Sequence, residues 1–342
     1  MRLSYVVILS ITSLVLDAQT TVNPDISVIG KLEGNWTGDA LELHGSSVEL
    51  AFQGYVNPYA RVDVFLHKHM DEEPIEVEEA VLAIERGLPF GLALRTGKLR
   101  PNFGKINIQH MHTFPQVILP IPVAQILGAE KWSSAGLEVA WLLPLPWYNN
   151  LSVAYLESGI SEHSHSHEDV EEVSEEEAGK AMSVRYSMFF DLAMQTHIDV
   201  GLNKYQVLAE PQSAITALDI KYKWRPDTYR SLVWQTELFF RGAHTEIVGD
   251  LTEEHPQITA IYALLNYQFN KIWNAGAILD YSSNLDGAEY HSTAGFLGFS
   301  PAEETTVLRF VFKQAKHGVE TPNFEALLQL LWSLGPHKAH QF

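Results

Sequence analysis

No cysteine occurs in the 342 residues, which excludes a disulfide framework and any thiolate metal site. Beyond the N-terminus no run of about 20 apolar residues exists, so no transmembrane helix is expected. Positive charge is scarce: 23 Lys and Arg stand against 42 Asp and Glu, a net charge of −19. A chain so acidic is repelled by phosphate backbones, which argues against nucleic-acid binding. Helical periodicity is rare. Gly-x-Ser-x-Gly, His-Glu-x-x-His and a phosphate-cradling Gly loop are all missing, so no enzymatic constellation is legible.

What the chain does contain is strict alternation. In Ala217 to Arg225 one face is Leu218, Ile220, Tyr222 and Trp224, and the other is Ala217, Asp219, Lys221, Lys223 and Arg225. Leu232 to Arg241, Thr306 to Lys313 and Phe324 to Leu334 repeat this period of two, the mark of a strand with one apolar and one wet face. Sixteen strands are expected, near 25–33, 47–56, 60–67, 75–85, 92–100, 135–143, 150–157, 182–190, 197–203, 214–225, 231–241, 257–269, 272–281, 292–299, 305–313 and 324–334. Alternate connections are long (101–134 and 158–181 above all) or short, such as VNPY, RPDTY and NKIW. Long loops on one side and tight turns on the other are the pattern of an outer-membrane barrel, with the turns in the periplasm. The expected fold is therefore all-β: a transmembrane, antiparallel, up-and-down barrel of sixteen strands without a plug domain, in contact with outer-membrane lipid and open to oligomer formation. Residues 1–18, with Arg2 and the apolar stretch from Leu3 to Leu16, read as a secretory signal. The terminal Phe342 suits recognition by barrel-assembly machinery.

The stretch LRTGKLRPNFGKINIQHMH (94–112) resembles the phosphate-selective porin group of outer-membrane barrels. Together with NPDISVIG (23–30), GYVNPYARVDVFL (54–66), EVEEAVL (76–82) and SLGPHKAHQF (333–342), it also resembles bacterial outer-membrane proteins often labelled zinc-regulated TonB-dependent receptors. That resemblance implies a barrel and an association with zinc. TonB-driven transport is set aside, because it takes about 22 strands and a plug, or roughly 600 residues at about 10 residues per strand plus loops.

Parity places Arg61, Asp63, Arg185, Asp219, Lys221, Lys223, Arg225, Glu237, Arg241, Arg309 and Lys313 in the lumen, where they line a channel for small ions or pair with one another. The 101–134 connection carries QVILPIPVAQIL, too apolar for a solvated loop; it either enters the lumen or packs over the mouth. Twelve of 15 histidines fall at or beyond the outer rim by this assignment. Glu162, His163, His165, His167 and Glu168 in the acidic run 161–177, with His67, His69, His110 and His112, are candidate ligands for Zn²⁺ or another divalent metal. The functional expectation is a porin-like channel whose outer loops bind metal and aid zinc passage. The alternatives are a general or anion-selective porin with an incidental His loop, and a non-conducting metal-binding surface protein.

Overall fold

The structure, a computed structural model, describes residues 24–36, 41–70, 74–160, 179–209, 214–248, 251–302 and 305–335. The 1–18 segment, the 161–177 run with all five of its candidate ligands, and Phe342 lie outside the described residues.

The strands in chain order are β1 (Asp25–Trp36), β2 (Leu41–Tyr55), β3 (Ala60–His69), β4 (Glu76–Ile84), β5 (Leu92–Leu99), β6 (Ser134–Trp141), β7 (Tyr148–Leu156), β8 (Ala181–Ala193), β9 (Thr196–Val207), β10 (Ile215–Trp224), β11 (Ser231–Arg241), β12 (His244–Val248), β13 (Leu251–His255), β14 (Ile258–Gln268), β15 (Trp273–Leu285), β16 (Ala288–Ala302), β17 (Thr306–His317) and β18 (Asn323–Leu334). All but β12 and β13 form one closed barrel of sixteen antiparallel strands, each beside its barrel neighbours in sequence. Pairing of β1 with β18, from Val28↔Leu334 to Trp36↔Ala326, closes it. Closure leaves no unpaired sheet edge. Among the described residues there is no separate plug domain.

Short turns share one local device. Asn57 Oδ1 accepts the N–H groups of Tyr59 and Ala60, both at 2.9 Å. Asn270 Oδ1 accepts those of Ile272 (2.8 Å) and Trp273 (3.0 Å), and Asp227 Oδ1 those of Tyr229 (3.0 Å) and Arg230 (2.9 Å). An Asx side chain two residues ahead substitutes for a backbone acceptor and fixes the reversal. The Arg230 guanidinium, and then the two N–H groups, hold the Asp227 carboxyl below its ordinary range.

Burial alternates along the strands. In β11, Gln235, Glu237 and Phe239 are buried, while Trp234 and Phe240 on the opposite face are exposed. Leu202, Leu265, Leu279, Phe310, Phe312 and Trp332 are likewise exposed on the outer surface. An apolar belt around a whole barrel is stable only in lipid, and it makes this an outer-membrane barrel. Aromatic pairs mark its short-turn end: Trp273 and Phe299 at 4.5 Å, Tyr267 and Phe269 at 4.8 Å, Tyr148 and Phe189 at 6.3 Å. On this basis, cysteines introduced singly at Lys221 and Lys223 should react with a charged thiol reagent, and those at Ile220 and Tyr222 should not. Uniform labelling along 220–223 would refute the facing of β10.

Two departures from the expected layout stand out. Residues 242–256, expected as a plain loop, hold the hairpin β12–β13, paired from His244↔His255 to Val248↔Leu251. In β4 one extra residue interrupts the ladder: Phe65 pairs with Glu79, but Leu66 pairs with Val77. This bulge turns both Glu78 and Glu79 inward, which explains why the segment does not alternate cleanly in sequence.

Candidate functional site in the lumen

Leu99 and Ser134, the ends of β5 and β6, are direct cross-strand partners. The residues between them form a long excursion whose start and finish lie side by side. Asn107, fully buried, clips it shut: Nδ2 donates to Pro101 O (3.0 Å) and Trp132 O (3.2 Å), and Oδ1 accepts the Trp132 N–H (3.0 Å). The excursion lies inside the barrel. Phe103, Ile106, Phe114, Val123, Ile126 and Leu127 are buried against inward residues of the wall such as Tyr262, Leu264, Ile278, Phe296 and Val311. The short helix α1 (Ile121–Leu127) packs toward β14 and β15. Burial of that apolar surface is what draws the loop in.

The Gly-Lys-x-Arg-x-x-Phe-Gly stretch is the root of this excursion. Gly97 has φ +119°, and a Cβ there would lie 2.1 Å from Ala80 O. Arg100 donates to Glu78 (3.2 Å). Gly104 has φ +66°, and a Cβ would lie 2.0 Å from Glu237 Oε2, so only glycine brings the backbone this close to the wall.

Hydrogen bonds then tie the loop to opposite sides of the lumen. The Gly104 N–H donates to Asn203 Oδ1 (2.9 Å) and the Ile106 N–H to Glu237 Oε1 (2.9 Å). Lys105 reaches Asp199 (2.5 Å) and Asp219 (3.4 Å). The Ile121 N–H donates to Asp280 (3.2 Å), the Gln125 amide to the Asn284 carbonyl, and Arg309 to the His112 carbonyl (3.1 Å).

Two polar clusters result. In the first, Asp219 has no exposed surface and binds Arg185 Nη2 (2.7 Å), Asn203 Nδ2 (2.7 Å) and Lys105. Beside it Glu237 also accepts from Tyr262 Oη at 2.6 Å. In the second, the loop meets β2 and β4. His112 Nδ1 lies 3.0 Å from Glu49 Oε2. His110 Nδ1 lies 3.2 Å from Glu78 Oε2 and 3.7 Å from Glu49 Oε1, and its Nε2 is 3.6 Å from Glu79 Oε1. The rings stack at 5.6 Å. One ligand atom from each of Glu49, His110 and His112 lies within 4.8 Å of the others.

The sequence-derived residues distribute as follows. Arg61 pairs with Asp63 (2.5 Å), Arg309 with Gln329 (2.8 Å) and Lys313 with Glu325 (3.8 Å). Lys221, Lys223 and Arg241 are half-buried on inward rows. Arg225 lies beyond the end of β10 and is exposed; its guanidinium donates to Thr228 O (3.0 Å) in the turn. The larger correction concerns His110 and His112. Placed at the outer rim by counting, they lie inside, because the apolar loop carries them down to the β2–β4 wall. His67 and His69 sit within the outer part of β3, rings 4.3 Å apart. Parity along Ser47, Glu49, Ala51 and Gln53 held the signal for Glu49. Glu78 was hidden by the bulge, and Lys105 and Arg100 by the unknown path of the loop.

No family model matches the chain. An uncharacterised protein of Aquifex aeolicus (strain VF5) is 28% identical over 354 residues, covering 90% of this chain and 72% of that protein. Among solved structures, the OmpF porin of Salmonella typhi, in complex with daunomycin, superposes with a TM-score of 0.58 at 10% identity, over 91% of this chain and 97% of that one. The outer-membrane channel DcaP of Acinetobacter baumannii gives 0.58 at 10% identity over 92% and 99%. An anion-selective porin from Comamonas acidovorans gives 0.54 at 9% identity over 91% and 100%. None of these supports the zinc-regulated receptor label suggested by residues 23–30, 54–66, 76–82 and 94–112. The likenesses fix the fold: this chain is a sixteen-stranded barrel of the outer-membrane porin architecture.

Proposed function

We propose that the protein is a porin-like channel for small ions and solutes, narrowed by the infolded loop, whose outer His-rich segment gathers divalent metal. The observation that supports it is the loop's attachment to β9, β10 and β11 on one side and to β15 and β17 on another. Charged side chains on inward rows, such as the half-buried Lys221, Lys223 and Arg241, are costly in lipid but serve water and ions. Because Arg185 and Lys105 lie on carboxylates, their charge is largely neutralised, and ion selectivity should be modest. Glu162, His163, His165, His167 and Glu168 carry the metal part of the reading, since imidazoles at every second residue can share an ion with neighbouring carboxylates.

The purified chain in planar bilayers should produce discrete conductance steps in KCl, below those of a general porin of equal strand number. The second reading, a non-conducting surface protein, draws on Asp219, Glu237 and Tyr262 having no exposed surface beneath the loop. Insertion without any current, across a range of voltages, would favour it and sink the channel.

A further inference from the structure

Glu49 poses a problem that the channel reading leaves open. It is only 8% exposed. Its neighbours Glu78 and Glu79 each face a guanidinium, from Arg100 (3.2 Å) and Arg95 (3.7 Å). Among the described residues, the ion-pair contacts of Glu49 are the imidazoles of His110 and His112. Its Oε1 is buried and accepts no hydrogen bond. A buried carboxylate requires a compensating positive charge. Here that charge is either protons on the imidazoles or a cation held between the three side chains.

The geometry has room for a cation. Tetrahedral zinc with bonds of about 2.0–2.1 Å sets its ligand atoms about 3.4 Å apart. The separations of 3.0 Å (His112 Nδ1 to Glu49 Oε2) and 3.7 Å (His110 Nδ1 to Glu49 Oε1), one on each oxygen of the carboxylate, bracket that spacing. Glu78 Oε2, 3.2 Å from His110 Nδ1, is placed to supply a fourth ligand. Glu79 faces the far nitrogen of His110, where a carboxylate orients a ligating imidazole. Two imidazoles with carboxylates suit Zn²⁺, Ni²⁺ or Cu²⁺ rather than Mg²⁺ or Ca²⁺.

We infer that a divalent transition-metal ion binds between Glu49 of β2 and His110 and His112 of the infolded loop, and that it latches the loop to the wall. The site is distinct from the outer His run, because its ligands come from the barrel interior. The latch rests on the channel reading; the binding site does not.

The test uses the full-length chain in a background where His163, His165 and His167 are all alanine, so that the outer run cannot contribute. Equilibrium dialysis with Zn²⁺, and visible absorption with Co²⁺ as the probe, should show one bound ion per chain and a tetrahedral or five-coordinate Co²⁺ spectrum. Glu49→Gln, which keeps the shape, and separately His112→Ala should each weaken binding by at least about tenfold, the low end for losing even an outer partner of a metal ligand. Two variants guard against one that misfolds, and folding is checked by heat-modifiable gel migration. In bilayers, Zn²⁺ should lower the current of the background protein, and Glu49→Gln should abolish that response. Zn²⁺ affinity unchanged by both substitutions would overturn the site and leave a hydrogen-bonded proton pair in its place. Binding without any effect on current would overturn the latch. Absence of current in every variant would overturn the channel, while the Co²⁺ spectrum would still decide the site.

Discussion

Replacing residues 100–133 with a four-residue turn should raise single-channel conductance severalfold without opening the barrel. The replacement is geometrically simple, because Leu99 and Ser134 are already cross-strand partners, and hairpin loops of about 2–5 residues join such ends. The β-ladder on both sides stays intact. What is lost is the material in the lumen: the apolar cluster around Phe103, Ile106, Phe114 and Ile126, and the bonds to Asn203, Glu237 and Asp280. Asp219, Glu237 and Tyr262, fully covered by that material, then face water. The barrel should also unfold at lower urea, since each large buried side chain contributes about 1.5–3 kcal/mol. Unchanged conductance in a well-inserted deletion protein would show that the loop does not obstruct the ion path.

Asp219→Ala should be the most damaging single substitution in the wall. Asp219 has no exposed surface and receives Arg185 at 2.7 Å, Asn203 at 2.7 Å and Lys105 at 3.4 Å. Removing it leaves the buried Arg185 guanidinium without its carboxylate, with only the neutral Asn102 Oδ1 (2.8 Å) as acceptor, and Asn203 with only Ala217 O (3.3 Å). Breaking a buried pair by deleting one partner costs about 3–5 kcal/mol. Urea unfolding in lipid vesicles, read by gel mobility, measures the loss. Asp219→Asn, which retains an acceptor oxygen, should cost less. A loss below about 1 kcal/mol, the scale of a surface pair, would mean that water enters the site and solvates Arg185.

Strands and turns were legible from sequence because two independent signals agreed. Residues such as Leu218, Ile220 and Tyr222 alternate with Asp219 and Lys221, and Asn57, Asp227 and Asn270 sit where each turn needs an Asx acceptor. All sixteen barrel strands overlap their expected positions, although β4 and β16 do not alternate cleanly in sequence. Their outer ends run further, as in β9 to Val207 and β16 from Ala288. There the hydrogen-bonded ladder continues past the alternating stretch, and hydropathy no longer reports it. Along β16, burial alternates cleanly although hydropathy does not. Its inward residues include Ala294 and Phe296, which pack on the apolar loop. A rule of polar inside and apolar outside fails wherever the lumen is filled with protein. The candidate metal cluster was only half legible for the same reason. His110 and His112 were visible as residues, but their depth depends on where a 34-residue stretch between β5 and β6 travels, and no local pattern encodes that.

The extra residue in β4 has an evolutionary consequence. Because facing depends on count, deleting Glu78 or Glu79 would restore regular pairing with β3 and leave β4 with one carboxylate beside His110 instead of two. The strand would keep its length to within a residue, the sheet its closure, and the surface its composition. In this architecture, an insertion or deletion of one codon inside a strand can therefore add or remove a charge in the interior. Gains and losses of interior ligands among related barrels should then be sought in small length differences between paired strands as well as in substitutions.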